Sequence, residues 1–325
     1  MAWSVGEVGQ LLKLVEDGAL SPAELARAEQ VGALVPSPAA WRRAADRLLA
    51  FGGMLLLAAA VVFFFAYNWA DLHRFWKLGM AALALTACTG AALFAAPAGS
   101  TYRATLMGAC ICTGVLLALV GQIYQTGADV WELFAAWALL MLPFVLLARS
   151  SASWALWLAV ANLALGRALS QSAWSGWLGA HFARDSMLLV AAANLAVLVL
   201  FEARGERLLA VPRRHLQRLA ALGMLMPLAI GGMMGWWEDE FVPVTGAFLL
   251  VAGGAAWFYL KWRRDLVILA LALFGAIPVF TSALVRALPK ESDFFALNLV
   301  ALFVIGSSAL AGKWLVGLSR EGRGE

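Results

Sequence analysis

The chain has 325 residues, 63% of them hydrophobic and 14% charged, with a mean hydropathy of +0.81. A soluble domain is nearer half apolar and a quarter charged, so this composition excludes an ordinary soluble globular protein. The formal charge of +4 and the pI near 9.2 would suit nucleic acid, but the basic residues sit at the ends of apolar runs, where they set topology and attract anionic headgroups. Nucleic acid is therefore excluded as a partner.

Residues 1–48 are the only substantial polar stretch. Val8, Leu11, Leu12 and Val15 recur on one helical face. Asp17-Gly18 breaks that helix, and Ser21-Pro22-Ala23-Glu24 starts a second with Ser as N-cap, Pro at the first helical position and Glu at the third. The pattern predicts a helical hairpin too small to hold a large core alone, packed on the membrane domain or on another copy. The first long apolar run begins only near residue 50, too late for a signal peptide. Trp41-Arg42-Arg43-Ala44-Ala45-Asp46-Arg47 reads as a basic amphipathic lead-in lying at the interface.

Residues 49–325 then form one transmembrane domain. Ten apolar runs, at about 49–67, 76–96, 104–125, 130–149, 152–171, 186–204, 216–237, 242–261, 266–287 and 294–317, have the length that crosses about 30 Å of hydrocarbon. Backbone in lipid must satisfy its own hydrogen bonds, and runs such as Leu55–Phe65 lack the alternation of barrel strands, so the runs are helices. The expected fold is an all-α polytopic bundle. With the N-terminus in the cytoplasm, 18 of the 24 basic residues fall on the cytoplasmic side and 6 on the other. That bias places both termini in the cytoplasm, and one missed or invented span would scatter it.

Spans three to five and seven to nine share a rhythm of basic entry, acidic outer turn and tight basic inner turn, the pattern of a parallel internal repeat. Any membrane hairpin can show that rhythm. Gly231-Gly232, Gly253-Gly254 and the series Ala82, Thr86 and Gly90 offer close helix approach. Pro143, Pro227 and Pro278 fall inside spans and can kink them. Asn162, Asn194 and Asn298 are deep amides whose default role is interhelical hydrogen bonding. Cys88, Cys110 and Cys112 lie inside apolar runs and read as small apolar residues.

Polar groups collect at the outer ends of spans one, three and four: Asn68, Trp69, Asp71, His73, Arg74 and Lys77, then Gln122, Tyr124, Gln125 and Asp129, then Trp131 and Glu132. Together they form a candidate outward-facing pocket for a small polar or amphipathic ligand. Each also has an ordinary role, since aromatic residues anchor at the interface and Asp129 with Glu132 suits a helix start. Gln122 lies about a turn inside the boundary. An amide left in lipid without a partner costs several kcal/mol, so Gln122 should face another helix. No zinc-protease, nucleophile-elbow or phosphate-loop motif occurs, and the three histidines fall on opposite sides of the membrane, so catalytic residues, metal and cofactor are all expected to be absent.

The block from Gly52 through Asn68-Trp69 to Lys77, with Gly121-Gln122-Ile123-Tyr124-Gln125 and Trp131-Glu132-Leu133-Phe134, resembles a family of predicted bacterial membrane proteins, domain of unknown function 2157. The segment from Leu11 to Leu25 is also similar to the short helical SHOCT-type motif. The resemblance implies a bacterial inner-membrane location and no particular activity. Two roles fit the residues. One is a non-enzymatic protein that binds or transports a small polar or lipid-like ligand through the outer cluster. The other is a scaffold, homo-oligomeric or partner-recruiting, that works through the N-terminal hairpin.

Overall fold

The computed structural model describes residue 21 and residues 38–67, 73–97, 99–125, 127–170, 182–211, 213–288 and 293–321. Ten long helices follow in order: α1 Pro38–Tyr67, α2 Arg74–Phe94, α3 Ser100–Tyr124, α4 Val130–Ala148, α5 Ser151–Leu169, α6 Phe182–Leu208, α7 His215–Met234, α8 Val242–Lys261, α9 Leu266–Ala287 and α10 Asp293–Glu321. A 3₁₀ turn, Asp239–Phe241, precedes α8. All ten helices are long and apolar enough to cross a membrane, and no strand occurs among the described residues. The expected N-terminal hairpin lies outside the described residues. The basic stretch from Trp41 to Arg47 is continuous with the first span, so the 48/49 domain boundary falls within α1.

The helix starts follow the polar residues that precede the apolar runs. Asp129 and Glu132 form a capping box at α4, with the Asp129 backbone N–H donating to Glu132 Oε2 at 3.2 Å. Ser150 Oγ accepts from Ala152 N–H at α5, and Asp265 Oδ1 accepts from Val267 and Ile268 N–H at α9. Pro143, Pro227 and Pro278 all lie inside helices.

Two helices are central. α3 packs on α1, α2 and α4, and α7 packs on α6, α8 and α9. These are the first helices of the two sequence units that share a rhythm. Side chains of the next helix lie against the glycines of each: the Trp137 ring sits where a Cβ on Gly114 would point, and Val244 where one on Gly231 would. α1 and α10 lie at the edges of the bundle, with few buried residues.

The small-residue expectations divide. Gly231 and Gly232 do bring α7 against α8 and α9, with Val244, Met187 and Val279 crowding them. Gly253, Gly254 and Gly90 have no atom within 4 Å of a built Cβ, and Ala82 and Thr86 are exposed. Those positions carry no helix contact, and the sequence could not show it, since a uniformly apolar helix has no polar face to mark which side points inward. Asn162 and Asn194 pair across α5 and α6, with Nδ2–Oδ1 distances of 2.7 and 3.3 Å. Asn298 instead donates to the Phe294 carbonyl of its own helix. Cys110 and Cys112 are buried and all three cysteines are free thiols.

A seam joins the halves. Trp154 of α5 packs edge-on against Phe201 of α6, with centroids 5.2 Å apart, and donates from Nε1 to the Leu208 carbonyl. Arg149 accepts at its carbonyl from Ala210 N–H and donates from Nη2 to the Glu206 carbonyl. The α4–α5 turn and the α6–α7 loop therefore lie at one membrane face, as alternating spans require.

Candidate functional site

The C-terminal end of α3 and the N-terminal end of α4 carry the candidate site. α3 ends in Gln125, which adopts a left-handed conformation (φ 44°), followed by Gly127 at φ 67°. These two positive-φ positions turn the chain sharply into the Asp129 capping box, so α4 returns beside α3. A side chain other than glycine or asparagine in that conformation is uncommon, and it holds the Gln125 amide at the mouth between the two helices.

Between the helix ends lies an open cleft with a volume of about 610 Å³. Its walls include Leu117, Val120, Leu133 and Phe134, and its rim carries Gln122, Gln125, Asp129 and Glu132. The lining is mostly apolar with a few convergent polar groups, the usual make-up of a small-molecule site. Two carboxylates and two amides at the mouth would accept hydrogen bonds from hydroxyl or ammonium groups, while the walls take a chain or ring. The Glu132 carboxylate already caps α4, and its other oxygen remains for a ligand.

Four of the twelve residues singled out from the sequence thus meet in one cleft. Gln122 is exposed in the lining of that cleft, not buried against another helix as the sequence led us to expect. Tyr124 and Trp131 do not line the cleft: Tyr124 is exposed beside it and Trp131 is half-buried. Asn68, Trp69 and Asp71 lie outside the described residues. His73 caps α2, accepting from Phe75 N–H, Arg74 lies over the Phe75 ring, and Lys77 is buried at the start of α2.

Sequence reasoning missed the opposite face. There Asp265 is buried (2% exposed), and both its oxygens receive Arg218 Nε at 3.1 and 3.2 Å, with Arg214 Nη1 at 3.5 Å. Glu202 accepts from Tyr259 Oη at 2.8 Å and from Arg263 Nη1 at 3.0 Å. The signal for the first was present: Asp265 stands directly before an apolar run, as an N-cap does. No group of three or more metal-ligating side chains gathers among the described residues.

Residues 12–154 match the family model described as Predicted membrane protein (DUF2157). That stretch spans α1 to α4 and every residue of the outer cluster. Neither a curated protein nor a solved structure matches the chain.

Proposed function

With residues 12–154 belonging to the DUF2157 family of predicted membrane proteins, we propose that this chain binds or carries a small amphipathic, lipid-like ligand in the cleft between the outer ends of α3 and α4. It is a multi-pass protein of a bacterial inner membrane with both termini in the cytoplasm, and it performs no covalent chemistry on its ligand. The single observation that carries the reading is the cleft itself: a mostly apolar groove of about 610 Å³ with Gln122, Gln125, Asp129 and Glu132 among its described lining residues.

The orientation is supported by the distribution of basic residues, which crowd the face opposite the cleft. The ligand class follows from the lining. Walls of leucine, valine and phenylalanine favour an acyl chain or apolar ring, and a rim with Asp129 and Glu132 favours a headgroup bearing hydroxyl or ammonium donors over an anionic one.

The test uses a fluorescent lysophosphatidylethanolamine titrated onto the purified full chain in detergent. Saturable binding is expected, weakened tenfold or more by Gln122→Leu and by Glu132→Gln, with melting behaviour unchanged. Wild-type affinity in well-folded variants would remove the cleft as the binding site.

A further inference from the structure

On the face opposite the cleft, a second cavity of about 450 Å³ opens between the N-terminal half of α1, the first turn of α3, the α4–α5 turn and the α6–α7 loop. Five guanidinium groups line it, from Arg43, Arg47, Arg103, Arg149 and Arg213, against one carboxylate, Asp46, which already receives the Ser100 hydroxyl. None of the five is ion-paired among the described residues. In the neighbouring cavity lined by α6 and the start of α7, two of the five arginines are ion-paired, Arg263 with Glu202 and Arg214 with Asp265.

From this we infer an anion site for a phosphate group, supplied by the headgroup of an anionic phospholipid. Arg103 carries the argument furthest. Its Nε is shut off from solvent and has no hydrogen-bond partner among the described residues. A donor of that kind is costly to leave unpaired, and a turn of the Arg103 side chain into the cavity would bring it to a phosphate oxygen. The guanidinium fork matches phosphate oxygens two at a time, which a lysine cannot do.

Backbone geometry adds to the charge. The first residues of α3 (Ser100) and α5 (Ser150, Ser151, Ala152) line the same cavity. Helix starts present unbonded N–H groups and the positive end of the helix dipole to an anion. α5 runs Ser151–Leu169 and α3 Ser100–Tyr124, so both dipoles are long.

Position selects the lipid over other phosphates. The cavity lies at the start of the first span, with Phe51 on its membrane side. α1, at the edge of the bundle, leaves its apolar flank open for acyl chains that stay in the bilayer. Basic pockets between spans at the headgroup level are the usual receptors for anionic lipids.

The experiment measures thermal unfolding of the full chain in detergent micelles doped with dioleoyl phosphatidylglycerol, with phosphatidylcholine as the neutral comparison. Phosphatidylglycerol should raise the unfolding temperature in a saturable way and phosphatidylcholine should not. Arg103→Gln should weaken the apparent affinity tenfold or more. If that variant does not fold, the Arg43→Gln/Arg47→Gln double variant, on the poorly buried α1, carries the test with the same expectation. Arg320→Gln, which removes a charge from the same face outside the cavity, should bind as the parent does.

Inorganic phosphate distinguishes the source. If millimolar phosphate alone gives the full shift and competes with the lipid, the site is a phosphate site filled from solution. If it does neither, the lipid is the ligand. Equal shifts with both lipids, unchanged affinity in the Arg103 and Arg43/Arg47 variants, or an equal loss in Arg320→Gln would each overturn the assignment.

Discussion

At the residue scale the Asp265 carboxylate joins the starts of α7 and α9. It receives two arginines and two backbone N–H groups while its side chain has no exposed surface. A buried charge held this way adds little over an apolar replacement, but removing one partner is expensive. Asp265→Ala strips the partner from Arg214 and Arg218 and removes the cap of α9, and should cost about 3 kcal/mol. Asp265→Asn keeps a capping oxygen and should cost less. Unfolding in mixed detergent micelles checks both, and two curves that overlay the parent would show that the carboxylate is not a tie between α7 and α9. By contrast Asn298 bonds within α10 and to no other helix among the described residues, although the sequence presents it and Asn194 alike.

At the element scale, helix packing in a membrane rests on close approach rather than on the hydrophobic effect, since lipid is as apolar as leucine. Glycines therefore matter only where another helix meets them. A methyl group on Gly231 would stand 2.6 Å from Val244 Cγ1 and 2.8 Å from Met187 Sδ, whereas one on Gly253 would meet nothing within 4 Å. Gly231→Ala should destabilise the chain by about 1–3 kcal/mol through overpacking, while Gly253→Ala should be neutral or slightly stabilising, as a helix gains from alanine. The pair is compared by the temperature at which each loses solubility in detergent. Equal behaviour would mean that α8 does not pack on α7 through Gly231. α4 shows the complementary point: its start was readable from the Asp129 and Glu132 capping box, but the apolar walls of the cleft beside it, Leu117 and Phe134, were indistinguishable from any other lipid-facing residues.

At the scale of the whole molecule the ten helices form two groups, centred on α3 and α7 and joined along the Trp154–Phe201 seam. Ten spans among the described residues bring the start of α1 and the end of α10 to one face. A green fluorescent protein fused after residue 325 should fluoresce, and alkaline phosphatase inserted after Gly127 should be active, because only the first matures in the cytoplasm and only the second outside it. The reverse pattern would invert the orientation and move the cleft to the cytoplasmic side. The span count, the ends of most helices and the segregation of basic residues were all legible in the sequence, because each is set locally: lipid demands some 20 apolar residues per crossing, and charge cannot stay in the hydrocarbon. Which residues of a uniformly apolar helix turn inward was not legible, because no polar face marks the choice. Only the tertiary structure put Gly231 inside and Gly253 outside, opened a cleft at Gln122 where a covered amide was expected, and drew five arginines from α1, α3, the α4–α5 turn and the α6–α7 loop around one cavity. Those outcomes depend on how distant helices lean on one another, and that is a property of the packed bundle rather than of any segment within it.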